Sequence, residues 1–237
     1  MIEKERLIKA PTITAEEVAD DDYIMIDSPT LGVRKYLASN LLPQPIEYLY
    51  KWDFTKEVDP LIDEVQKAEC ELFGNSSTVP VTPPPIAIPS FGVKIEKPAQ
   101  YIKLPINELN NRTIEIIFGE MVYKVAVNHG RLFMYSNEEG LIFRASGGSR
   151  VAQWQTYIKG GWRTNLESFA DYTEPNIFNN SILKVTMINN KPYYYRDSDL
   201  IYFDNVDVTG FTELKIGSTT QSFYDMVIKE IRIYENI

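Results

Sequence analysis

From residue 47 onward, apolar and polar positions alternate in short runs separated by Gly, Asn and Pro. Leu183, Val185 and Met187 alternate with Ile182, Lys184 and Thr186, and Ile231 and Ile233 alternate with Glu230, Arg232 and Tyr234. A period of two belongs to β-strands, whose successive side chains point to opposite faces. The pattern predicts strands near 48–54, 91–95, 100–104, 112–118, 122–128, 131–136, 140–145, 152–158, 182–188, 192–196, 212–216 and 225–234. Asn128-His129-Gly130 and Ile188-Asn189-Asn190-Lys191 are expected to be hairpin turns, because Asn and Gly tolerate positive φ. Many short strands without intervening helices make a sandwich or a barrel.

Two segments depart from this rhythm. Residues 76–90, SSTVPVTPPPIAIPS, carry five prolines, which forbid a central strand and favour an extended path. We read them as a surface loop rather than a linker, because the strand around Trp52 is too short to stand apart from the sheet downstream. Residues 1–46 hold a capping-box pattern, Thr14-Ala15-Glu16-Glu17, that predicts one or two helical turns over 15–19. Two alternating runs follow, 23–27 and 33–37, around Ser28-Pro29-Thr30-Leu31-Gly32, which has the Pro and Gly of a tight connection. They predict a β-hairpin, and the segment closes at Pro43-Gln44-Pro45. In that hairpin Tyr23 and Met25 share one face with Asp27, and Ile24 and Ile26 occupy the other. Both faces carry apolar groups, and a lone hairpin is marginal in water. The division is therefore an anchoring or oligomerising segment, 1–46, and a β-domain, 47–237; a flexible leader is the alternative for the first.

Composition narrows the function classes. The 237 residues are 44% hydrophobic and 12% aromatic, enough for a core built of strands. A formal net charge of −9 argues against nucleic acid and anionic membranes as partners. Cys70 is the sole cysteine, so no intrachain disulfide forms, and a reducing compartment is expected. The opening MIEKERLIKAP has no apolar h-region, and no apolar run approaches the roughly 20 residues of a bilayer span. The expectation is a soluble protein folded in a cytoplasm.

Several stretches of the β-domain resemble a known family. Tyr50-Lys51-Trp52-Asp53-Phe54 with Leu61-Ile62-Asp63-Glu64 resembles the opening strand and turn of concanavalin A-like, laminin-G-like jelly rolls. Phe91-Gly92-Val93-Lys94-Ile95 with Tyr101-Ile102-Lys103-Leu104-Pro105 resembles their next hairpin, and Thr113-Ile114-Glu115-Ile116-Ile117-Phe118 the long strand after it. The ending Leu214-Lys215-Ile216-Gly217-Ser218, Phe223-Tyr224, Ile231-Arg232-Ile233-Tyr234 resembles the family's closing run. The resemblance implies an all-β, concanavalin A-like antiparallel β-sandwich over 47–237. It is nearly silent on function, since this fold hosts lectins, glycanases and adhesion modules alike.

The N-terminal segment resembles something else. Asp22-Tyr23-Ile24-Met25-Ile26-Asp27 and Arg34-Lys35-Tyr36-Leu37-Ala38-Ser39-Asn40-Leu41-Leu42 are similar to the anchoring module of bacteriophage head-fibre and tail-fibre proteins. That resemblance implies a virion-surface protein made in a bacterial cytoplasm, with a capsid or tail protein as partner and a homo-oligomer, expected to be a trimer. Its anchoring residues would be Tyr23, Ile24, Met25, Ile26, Val33, Tyr36 and Leu37.

Catalytic chemistry finds few parts. A glycanase on this fold needs two carboxylates about 5 to 10 Å apart. Glu115 and Glu120 are five residues apart, which places them on opposite faces of a regular strand. Asp197 and Asp199 are correctly spaced but lie in the loop-like context YYYRDSDL. His129 is the sole histidine, too little for a zinc site or a Ser-His-Asp triad. Cys70 has no neighbouring cation, so packing is its expected role. Gly147-Gly148 and Gly160-Gly161 lack the Lys-Ser/Thr of a phosphate loop. A calcium site among Asp197, Asp199, Asp204, Asn205 and Asp207 competes with a solvated acidic loop, and no metal or other cofactor is assigned. No enzymatic activity is expected. The binding candidates are aromatic: VAQWQTYIKGGWRTNLESFADY offers Trp154, Tyr157, Trp162 and Tyr172 for stacking on sugar faces, with Arg163 for hydroxyls. Trp154 and Tyr157 are equally readable as core residues of an ordinary strand.

Overall fold

The computed structural model describes residues 23–28, 32–37, 46–74, 81–124, 129–135, 140–145, 152–158, 161–163, 177–203, 205–208, 213–217 and 223–236. By internal contacts the chain divides into Met1–Ile46 and Glu47–Ile237.

In the first unit β1 (Tyr23–Ser28) and β2 (Gly32–Leu37) pair antiparallel. The register sets Tyr23 opposite Leu37, Ile24 opposite Tyr36 and Asp27 opposite Val33. The hairpin expected from alternation is therefore present. The helical turns expected over 15–19 lie outside the described residues.

The second unit is an antiparallel β-sandwich. One sheet has seven strands, β12 (Gly161–Arg163), β11 (Ala152–Ile158), β10 (Gly140–Ala145), β9 (His129–Met134), β16 (Leu214–Gly217), β7 (Tyr101–Leu104) and β4 (Glu71–Phe73), in that spatial order. The other runs β15 (Asp199–Phe203), β14 (Lys191–Arg196), β13 (Ile182–Ile188), β8 (Arg112–Lys124), β17 (Phe223–Glu235), β6 (Gly92–Ile95) and β5 (Ile86–Ile88). An eighth strand, β3 (Tyr48–Asp53), pairs with β17. Alternation fixes which side of each strand is inside: Leu183, Val185 and Met187 of β13 are buried, as are Ile231 and Ile233 of β17. They meet Phe133, Tyr135, Ile102 and Ile216 of the other sheet and its adjoining loop in one hydrophobic cluster. Between the two sheets the hydroxyls of fully buried Tyr135 and Tyr194 lie 3.1 Å apart, so the polar tips of both rings are paired inside the core. Trp52 stacks on Tyr50 and donates its indole N–H to the Ala68 carbonyl.

Four sequence expectations change. The strand expected at 112–118 and the first part of that expected at 122–128 are one strand, β8, and 125–128 lie outside the described residues. Its inward positions are Ile114, Ile116, Phe118 and then Met121, so a bulge replaces the expected break. The ladder agrees, since Met121 to Phe118 spans the same stretch as Met226 to Ile228. Gly119 sits at the bulge, where an added Cβ would come within 3.2 Å of the Val227 side chain. The Pro-rich loop is not strandless: Ile86–Ile88 forms β5, and its place at the sheet edge is where flanking prolines are tolerated. The segment YYYRDSDL is a hairpin, β14 turning through Asp197 at φ 53° into β15. Finally, His129 and Gly130 belong to strand β9 rather than to a turn. By contrast Asn189 and Asn190 do turn β13 into β14, at φ 51° and 62°.

Candidate functional site

The solvent side of the eight-stranded sheet is assembled by cross-strand register. Glu115, Lys184, Tyr195 and Leu200 stand opposite one another in succession across β8, β13, β14 and β15. The neighbouring row is Thr113, Thr186, Tyr193 and Phe203. In β14 Pro192 and Tyr194 are buried while Tyr193 and Tyr195 are half-buried, which puts those two rings outside. Tyr193 and Phe203 stack with centroids 5.5 Å apart and planes 15° from parallel. The Lys184 ammonium lies 4.7 Å from the centre of the Tyr195 ring, within cation–π range. Leu200 and Phe203 are 51% and 41% exposed, so this aromatic floor is open to solvent.

Further along the same sheet the polar groups satisfy one another. Arg232 donates to both oxygens of Glu230, at 2.7 and 2.9 Å, and lies 3.7 Å from Glu115. Its guanidinium also sits 5.7 Å from the centre of the Tyr48 ring. Tyr234 donates its hydroxyl to Glu115 at 2.8 Å. Burial first, and then that carboxylate, push the Tyr234 phenol well above its ordinary range. Lys51 bridges Glu64 at 3.0 Å and Glu230 at 3.7 Å, and Lys56 also pairs with Glu64. The hydrogen bond from Lys56, with further help from Lys51, lowers the Glu64 carboxyl.

A second aromatic cluster lies on the seven-stranded sheet. Phe73 and Tyr101 stack at 5.1 Å and 8°. Lys103 lies 5.9 Å from the Phe73 ring centre and Lys215 lies 5.4 Å from that of Tyr101. Glu213 pairs with both lysines.

The sequence-predicted binding residues fall at the other end of that sheet. Tyr157 and Trp162 are directly opposite in the β11–β12 register, Arg163 faces Thr156, and Trp154 faces Phe143 of β10. The pairing brings four of the five onto adjacent strands. Their side chains, and all of Tyr172, lie outside the described residues.

Of the carboxylate pairs, the bulge in β8 offsets the alternation, so Glu120 is exposed on the outer side with Glu115. The opposite-face expectation is corrected. At about 3.3 Å of rise per residue the two are still roughly 16 Å apart, beyond the reach of paired glycanase carboxylates. Asp197 uses its carboxylate to accept the Ile182 N–H at 3.0 Å, as a turn residue does. Asp204 lies outside the described residues, and among those described no three His, Cys, Asp or Glu side chains converge on a metal position. Cys70 is buried in the core cluster, where burial pushes its thiol up to about 12. A cavity of ≈ 400 Å³ between the β4 and β5 edges is walled by Leu61, Ile62, Leu72, Pro85 and Ala87, with Asp59 and Glu69 at its lining.

Sequence reading passed over Lys184, Leu200 and Phe203. The signal was in Tyr193-Tyr194-Tyr195, three rings that a strand must divide between two faces, but taking DSDL for a loop hid the strand that completes the site.

The sequence matches no protein-family model and no curated protein. Solved structures do resemble it. Domain 4 of AbnA, a GH43 extracellular arabinanase from Geobacillus stearothermophilus solved with arabinotriose, superposes with a TM-score of 0.55 at 12% identity. That match covers 81% of this chain and 94% of the domain. Trypanosoma rangeli sialidase in complex with sialic acid gives 0.52 at 10% identity over 78% of this chain. The chain spans only 30% of that sialidase. The likeness is one of fold. It agrees with the antiparallel, concanavalin A-like sandwich expected from the sequence.

Proposed function

We propose that residues 47–237 are a non-enzymatic carbohydrate-binding sandwich carried by a bacteriophage appendage of the head-fibre or tail-fibre type, with residues 1–46 as its anchor and trimerising element. The observation that carries the binding reading is the open aromatic floor of Tyr193, Tyr195 and Phe203 beside Lys184 and Thr186. Sugars are held by stacking their apolar faces on such rings while side-chain donors take the hydroxyls. Domain 4 of AbnA, of the same fold, was solved holding arabinotriose. Trp154, Tyr157, Trp162, Arg163 and Tyr172 are a second proposed contact region, supported by the register that sets Trp162 against Tyr157.

A glycan hydrolase is the competing reading. Against it, Arg232 contacts both Glu115 and Glu230 and so neutralises that carboxylate pair. The raised Tyr234 phenol is also the reverse of an activated nucleophile. The appendage part is supported by the fibre-like motif around Tyr23, Ile24, Met25 and Ile26 and by its pairing with Val33, Tyr36 and Leu37. A strand pair with no further strand beside it among the described residues has most to gain from sister copies or a particle surface.

A glycan array probed with the full chain tests the binding reading. At least one glycan should be retained and none cleaved; retention of none refutes it, and cleavage restores the hydrolase. Light scattering of the full chain should give three times the chain mass, and a monomer would count against the trimerising anchor.

A further inference from the structure

The lysine in the aromatic floor points to the kind of glycan. We propose that the ligand carries a carboxylate, a uronic or sialic acid unit, and that Lys184 receives it; this rests on the carbohydrate-binding reading above.

Among the described residues Lys184 forms no ion pair, although it is half-buried and holds its ammonium over the Tyr195 ring. Its cross-strand neighbour on one side is Glu115, whose carboxylate accepts the Tyr234 hydroxyl and faces Arg232 instead. The next carboxylate along the sheet edge, Asp197, accepts the Ile182 N–H and lies 4.0 Å from the Arg196 Nε. Both of these carboxylates therefore have partners, and Lys184 pairs with neither. A half-buried cation without a counter-ion favours a site that supplies one. The aromatic rows beside it offer the stacking surface for the ring that bears the carboxylate. The chain's net charge of −9 does not prevent this, since charges beyond about 8 Å are screened at physiological salt.

The test titrates the full chain with uronic- and sialic-acid oligosaccharides, each beside its carboxyl methyl ester, which keeps the ring and removes the charge. At least one acid should bind roughly tenfold or more tightly than its ester, an advantage that shrinks with added salt. Lys184→Gln should abolish the advantage, and Lys184→Arg should keep most of it. The position is solvent-facing, and an unchanged melting temperature verifies that the variant is folded. Esters binding as well as acids, or an acid preference that survives Lys184→Gln, overturns the inference and spares the carbohydrate-binding reading. If no glycan of either kind binds, nor any on the array, the broader reading falls with it.

Discussion

Two clusters of stacked aromatic rings and lysines sit on opposite sheets of this sandwich. On the seven-stranded sheet Phe73 and Tyr101 stack, each under a lysine, and Glu213 pairs with both Lys103 and Lys215. On the eight-stranded sheet Tyr193 and Phe203 stack, Tyr195 lies under Lys184, and among the described residues no carboxylate pairs with that lysine. The first is closed: both of its cations are paired. The second is open, with Phe203 41% exposed and the Lys184 ammonium outside any ion pair among the described residues. Residue types alone do not make a binding site. What separates a brace from a site is whether its charges are already used.

The comparison can be broken most forcefully at β14, where one tyrosine run serves core and surface at once. Tyr194 is fully buried against the other sheet, so Tyr194→Ala should cost about 3–5 kcal/mol in urea unfolding. Tyr195→Ala, one residue away on the outer side, should cost about 1 kcal/mol or less. Equal losses would mean that the two rings are not on different faces.

Glu213→Gln should convert the closed cluster towards the open one. Removing the shared carboxylate frees Lys103 and Lys215. The stability loss should be about 1–2 kcal/mol, because these pairs are partly, not fully, shielded from water. Combined with Lys184→Gln, it should give a weak, salt-sensitive preference for acids over their esters where Lys184→Gln alone shows none. No gain would show that spare charge does not separate the two clusters.

The smallest effects are in pH dependence, and they belong to the network that is already satisfied. Glu64 is held below its ordinary value of 4.5, so its contribution is full above that pH and disappears as pH falls through the lower folded-state value. The stability difference between the wild type and Glu64→Gln should therefore close on acidification. Tyr234 shows the opposite sign. Its pKa is raised from 10.0, so stability declines as pH climbs past 10, and Tyr234→Phe should remove that part of the decline. Thermal melts across pH check both.

Much of the architecture was legible because period-two alternation survives wherever one strand face is buried. β13 and β17 show it residue by residue, and Asn189-Asn190 announced their turn. The misreadings have local causes. A bulge at Gly119 breaks parity, so β8 looked like two strands. Three-residue strands such as β4, β5 and β12 are too short to establish a period. In β15 the polar start, Asp199, masked the apolar run behind it. The site was less legible still, because Lys184, Tyr195 and Phe203 meet through register across three strands, which local sequence does not reveal. Trp162 and Tyr157 could be grouped from sequence because they lie close along the chain, and the β11–β12 register sets them opposite.

The most direct test of the open-versus-closed distinction is to titrate the best glycan from the array into Tyr195→Ala and Tyr101→Ala of the full chain, side by side. The account predicts at least a tenfold loss, about 1.4 kcal/mol, for Tyr195→Ala and less than about twofold for Tyr101→Ala. A larger loss at Tyr101, or equal losses at both, would contradict it.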